Sequence, residues 1–162
     1  MATANVCAVL ATLLSLSVSG CAHAPSQPTI EAQDFYESMS QNGAVLDPRP
    51  ARDMISILRH NAGVGALKID PALQSAALAQ AQKMAQSGRI STHAPALAIQ
   101  REVLFSDNSA GFDNLAEAFA AWRQANSTRH HMLNAKVTRI GVAAVYAPQS
   151  RYKVFWSLLL SN

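Results

Sequence analysis

Toward the C-terminus, apolar residues fall on alternate positions. Ile140, Val142, Ala144 and Tyr146 alternate with Gly141, Ala143 and Val145, and after Pro148-Gln149-Ser150 the alternation resumes at Tyr152, Val154, Trp156, Leu158 and Leu160. A period of two interrupted by turn residues predicts an antiparallel hairpin. Its second strand is apolar on most positions of both faces, as a central strand would be. Upstream the period lengthens to that of helices. Met54, Ile57, Leu58 and Asn61 share a face from Pro50 to Asn61, with Gly63 as the stop. Asp70-Pro71 is a helix start, and Leu73, Ala76, Ala77, Gln80, Ala81, Met84 and Ala85 mark one face up to Gly88. The alanines on that face predict close packing against a neighbour. A third helix spans about Asn114 to Ala125, with Leu115, Ala118, Phe119 and Trp122 as its stripe. Leu46-Asp47-Pro48-Arg49-Pro50 reads as a breaker, because each proline disfavours helix in the residue before it. Helices first and strands last, around one core, predict an α+β domain.

The N-terminus carries a different pattern. Val6 to Leu16 is an uncharged apolar run of 11 residues, too short to span a membrane and matched to the core of a signal peptide. Val18-Ser19-Gly20-Cys21 follows, and small residues just before a cysteine resemble a bacterial lipobox. That resemblance implies a signal peptide over residues 1–20, cleavage before Cys21 and acylation of Cys21. No Lys or Arg precedes the apolar run, so the terminal amine alone supplies its positive end. Several acyl chains, at about 0.8 kcal/mol per buried methylene, would hold the protein on a membrane without a spanning segment. Residues 21–45 then comprise the acylated N-terminus, a Pro/Ser/Gln-rich tether and a short helix from Ile30 to Met39, and residues 46–162 the domain. With Cys7 removed and Cys21 capped, the mature domain has no disulfide. Ala22 after the cysteine resembles lipoproteins sent to the outer membrane. The expected location is the cell envelope of a bacterium.

Composition narrows the partners. The 162 residues are 49% hydrophobic, and a formal charge of +3 arises from 13 Lys and Arg spread among 10 Asp and Glu, with no basic run. A nucleic-acid partner is therefore not expected. The expected contacts are the membrane through the anchor, and a hydrophobic ligand or envelope component.

Three stretches in order carry a family resemblance: Ile57 to His93, Ala110 to Gln124 and Leu133 to Leu160. The chain resembles the CAP superfamily, or SCP domain, over roughly Met54 to Leu160. The resemblance implies a three-layer α-β-α sandwich of the CAP/SCP type with a C-terminal antiparallel strand pair. In members with a complete cleft, two histidines and two glutamates hold a divalent metal, commonly zinc, with donors ordinary for that ion. Here His93 occupies the position of the first histidine. The first glutamate falls on Ser106 without a gap or on Asp107 with one, and no acid after Trp122 matches the second. Laid down without gaps, the second histidine falls on Thr128 and its following arginine on Arg129, so His130 and His131 are not that histidine.

If this stretch is helical, His130 and His131 point about 100° apart, whereas His131 shares a face with Thr128 three residues earlier. A relocated zinc or other divalent-metal set of His93, Asp107 and His131 is one reading. The other makes His130 and His131 surface or helix-end residues near a C-terminal dipole. The function that follows from the missing donors is a lipid-anchored, non-catalytic binding module with a degenerate cleft, for a hydrophobic ligand, an envelope polymer or a protein partner; a purely structural envelope protein whose cleft has decayed is a further reading. The alternative is a metal-dependent hydrolase of envelope substrates, in which the ion activates water. No Gly-x-Ser-x-Gly elbow supports a serine hydrolase.

Overall fold

The computed structural model describes residues 32–93 and 103–162. The expectations for the signal peptide, Cys21 and the tether lie outside the described residues. Among the described residues, no helix is long and apolar enough to cross a membrane.

The chain folds as an α+β sandwich of three layers. Among the described residues, five helices run over Ala32–Tyr36 (α1), Pro48–Asn61 (α2), Pro71–Ser87 (α3), Leu115–Gln124 (α4) and Asn126–Met132 (α5). Four strands, Lys68–Ile69 (β1), Val103–Ala110 (β2), Arg139–Ala147 (β3) and Lys153–Ser161 (β4), form one sheet in the order β1-β3-β4-β2. β3 and β4 are the antiparallel hairpin, and β4 is central. β2 pairs with β4 antiparallel and β1 with β3 parallel.

Strand alternation divides the core in two. On one face Ala143 and Leu159 meet Leu73, Ala76, Ala77 and Ala81 of α3. On the other, Ile140, Val142, Trp156, Leu158 and Leu160 meet Ile55, Leu115, Ala118, Trp122 and Met132 from α2, α4 and α5. The α3 alanines do what their pattern predicts. The helix comes so close to β3 that a Cβ at Gly141 would lie 2.3 Å from the Leu73 carbonyl.

One expectation is corrected. Leu46 to Pro50 is not a breaker but a start: α2 begins at Pro48, and the Asp47 carboxylate accepts from the Arg49 N–H at 2.9 Å. Proline at the first helical position loses no bond, because that N–H has no helical partner. The same Asp-Pro device opens α3, where Asp70 accepts from Ala72 and Leu73 at 2.9 and 3.1 Å.

Candidate functional site: the Asp107 cluster

The site lies where β2 passes α5. Register places Asp107 opposite Leu158 and Ser106 opposite Leu159, which belong to the two different core faces. Of the two residues that compete for the family's glutamate position, Asp107 is therefore the one on the α5 side. α5 starts directly after α4, turning at Ala125, and presents Thr128 and His131 one turn apart on the face toward β2.

These three side chains meet. The Thr128 hydroxyl donates to Asp107 Oδ1 at 3.0 Å. His131 Nδ1 lies 3.0 Å from Oδ2 and 3.3 Å from Oδ1 of the same carboxylate. A carboxylate only accepts, so Nδ1 carries the hydrogen and Nε2 is the ring's remaining nitrogen for other chemistry. The ring is stacked on Phe105, with centroids 4.0 Å apart and planes 13° from parallel. Phe105 and Asp107 are two residues apart on one strand, hence on one face, and together they fix both the plane and the tautomer of His131. Thr128 is buried, while His131 keeps 26% of its side chain exposed.

His130 does not join this set. It is exposed, its ring 6.5 Å from that of His131 and tilted by 68°, as successive helical positions require. His93 does not join it either. The contacts of its segment run to the opposite layer: Gln80 of α3 donates to the His93 carbonyl at 3.3 Å, and Asn108 donates to the Ser91 carbonyl at 3.1 Å. The His93 ring lies against the Thr92 hydroxyl at 3.1 Å and is exposed. Asn108 follows Asp107 on the strand and so points to the other side of the sheet. Of the expected metal set, the structure brings together Asp107 and His131 and leaves His93 across the sheet. Among the described residues, no group of three or more His, Cys, Asp or Glu side chains is arranged to hold a metal ion. The donor chemistry present, one carboxylate engaged by a hydroxyl and an imidazole, does not fit a closed or open zinc site of three protein ligands.

Sequence reasoning does not single out the residue that shapes this end of the molecule. Arg59 of α2 is 1% exposed, and its guanidinium donates to the carbonyls of Gly65, Met132, Asn134 and Val137 at 2.6, 2.6, 3.0 and 2.7 Å. Burial lowers its pKa below the ordinary guanidinium value. It ties the C-terminal end of α5, one residue past His131, to α2 and to the approach to β3. An arginine in an otherwise amphipathic helix gives little sign of this, because its partners are backbone carbonyls distant in sequence. Phe105 is hidden for a related reason, since it lies in a strand that the apolar pattern does not reveal.

Solved structures that share the fold include three bacterial proteins. An outer surface protein from Borrelia burgdorferi matches with a TM-score of 0.63 and 17% identity over 74% of this chain and 98% of its own. An extracellular protein containing an SCP domain from Bacillus anthracis gives a TM-score of 0.59 and 18% identity, over 70% of this chain and 40% of its own. A cysteine-rich secretory protein from Staphylococcus aureus gives 0.51 and 16%, over 68% and 36%. No curated protein sequence matches the chain. The family model "CAP: Cysteine-rich secretory protein family" matches residues 52–160, from α2 to the end of β4. That span is most of the described domain, and the chain belongs to the CAP, or cysteine-rich secretory protein, family.

Proposed function

We propose that this CAP domain is an exported, lipid-anchored binding module of the bacterial cell envelope that works without a catalytic metal. The observation that carries the reading is the internal use of Asp107. Both of its oxygens are engaged, by Thr128 at the family's second histidine position and by His131. A cation would have to break those bonds and find at least one more donor. Export is supported by the apolar run at Val6 to Leu16 and by the outer-surface and extracellular relatives of the fold. The anchor is supported by Cys21 and its small preceding residues.

One observation favours the hydrolase reading: a carboxylate-held histidine whose second nitrogen is free of the carboxylate is the usual outer-sphere arrangement of a metal-binding imidazole. Metal analysis of the purified full chain separates the two. The binding-module reading expects less than stoichiometric zinc, unaltered by His131→Ala. Stoichiometric zinc lost in His131→Ala and in His93→Ala would overturn it. For the anchor, Cys21→Ser is expected to abolish both acyl labelling and membrane association; membrane association that persists in an unlabelled protein would refute the claim.

A further inference from the structure

The sheet edge farthest from Asp107 is left partly without a partner. β1 is two residues long and covers β3 only at Arg139 and Ile140. The next outward-facing position is Val142, and there a side chain does the work of a strand. The Gln74 carboxamide donates through Nε2 to the Val142 carbonyl at 2.7 Å and accepts from the Val142 N–H at 3.0 Å. Alternation then turns the N–H and C=O groups of Ala144 and Tyr146 toward the same edge, while Ala143 and Val145 bond to β4. No described residue bonds these four groups. Ala144 is only 6% exposed, and main-chain polar groups at buried positions require partners.

A groove of about 410 Å³ opens over this edge. Gln41 and Val45 form one wall, and Leu78 and Gln82 of α3 the other. None of its lining side chains is charged, and Val45 and Leu78 are 84% and 43% exposed. A second depression of about 320 Å³ shares Gln82 and Tyr146 and continues along the β3–β4 turn to Ser150.

We propose that this edge is a docking site for an extended, uncharged polypeptide segment of a partner protein, added to β3 as a strand beyond Gln74. Two free positions with their intervening residue span about three residues, ~10 Å at about 3.3 Å per residue, and offer four main-chain bonds. Val45 and Leu78 suit an apolar side chain on the inward positions. A charged side chain would meet no counter-charge in this lining. An acyl chain would leave the four main-chain groups unpaired, which is why a peptide is favoured over a lipid. The site gives the binding-module reading a partner class and in that respect rests on it. It lies across the sheet from Asp107, so zinc at His131 would overturn the metal-free reading without altering the result at the edge.

The test is a titration of the 15N-labelled full chain with the blocked hexapeptide acetyl-Thr-Val-Thr-Val-Thr-Val-amide, and with two analogues N-methylated at either the Thr or the Val amides. The expected result is movement of the Ala144 and Tyr146 amide signals, with slowed solvent exchange. One N-methylated analogue should bind at least tenfold more weakly than the other, because only one set of amides faces the edge. The double variant Val45→Asp, Leu78→Lys should weaken the peptide about tenfold at unchanged Tm. Unmoved Ala144 and Tyr146 amides, or equal binding of both analogues, would overturn the proposal. So would an N-acetylglucosamine oligomer or a palmitate-containing micelle that moves the groove side-chain amides where the peptide does not.

Discussion

The two faces of the sheet are held by opposite means. Against α3 the residues are small, and Gly141 lets the helix backbone approach β3 with no side chain between them. Against α2, α4 and α5 the residues are large, with Trp122 and Trp156 meeting edge to face at 6.1 Å, and a buried Arg59 fills the corner that apolar side chains leave. Close backbone contact leaves no room for a polar cluster between helix and sheet. Large side chains crossing a wider gap leave a rim, and Asp107, Thr128 and His131 meet at that rim. The face that bears the site is therefore the one whose packing rests on particular side chains, and substitutions should expose that asymmetry.

The largest effect is expected at Arg59. Arg59→Ala removes a donor from four carbonyls; that of Asn134 keeps the Val137 N–H and Gly65 is exposed, so the cost falls on the buried carbonyls of Met132 and Val137, at about 1–3 kcal/mol for each group left unsatisfied. A loss of about 4 kcal/mol by urea denaturation is expected. Arg59→Lys should recover only part of it, because an ammonium lacks the planar fork that reaches separate carbonyls. On the opposite face, Gly141→Ala should cost about 3 kcal/mol, since its Cβ meets backbone that has nowhere to move. A Gly141→Ala protein of wild-type stability would show that α3 is free to slide, and the contrast between the faces would fail.

How far each face shows in the sequence follows from the same difference. The α3 face is legible because small residues at helical spacing and a period-two hairpin are local signals. β2 is not, because Phe105, Asp107 and Ser109 face one layer while Ser106, Asn108 and Ala110 face the other, and neither series is consistently apolar. The wide face recruits polar residues there: Trp122 Nε1 donates to the Ser109 hydroxyl at 3.2 Å, so Ser109 does the work of a core position. The site is half legible. Helical spacing places His131 on the face of Thr128, and that holds. That His93 lies across the sheet depends on the face alternation of a strand the pattern does not reveal. Asp47-Pro48 is hidden although Asp70-Pro71 is plain, because Pro50 two residues later makes the first pair look like part of a break.

A smaller effect tests whether the site is an organised cluster or an incidental contact. Asp107→Ala should cost about 1 kcal/mol, the net value of a hydrogen bond to a charged group being about 1.5–3 kcal/mol and partly restored by water at a rim. The sharper readout is the ring. In the wild type the 15N signals of His131 should report hydrogen at Nδ1; in Asp107→Ala that preference should relax, because the acceptor is gone. His130→Ala, on an exposed position, should change stability by less than about 0.5 kcal/mol. An unchanged His131 tautomer in Asp107→Ala would mean that Phe105 stacking alone orders the ring.

The smallest effect concerns the helix caps that set the two layers in place. Asp70 opens α3 from a buried position and accepts from Arg139 Nη1 at 2.9 Å, whereas Asp47 opens α2 in solvent beside an exposed Arg49. The Arg49 side-chain hydrogen bond holds the Asp47 carboxyl below the ordinary aspartate value, against the opposing effect of its slight burial. A carboxyl whose folded pKa is depressed contributes stability that is fully present above its unfolded value of about 3.9 and is lost as pH falls through the folded value. Asp47→Asn keeps an oxygen to cap the helix and removes the charge, so it should cost only a few tenths of a kcal/mol near neutral pH. The difference between variant and wild type should then shrink below about pH 4, and added salt should shrink it at neutral pH as well. Paired urea denaturations across that range measure it. A difference that grows as the pH falls would reverse the sign of the linkage and remove Asp47 as a charge-assisted cap.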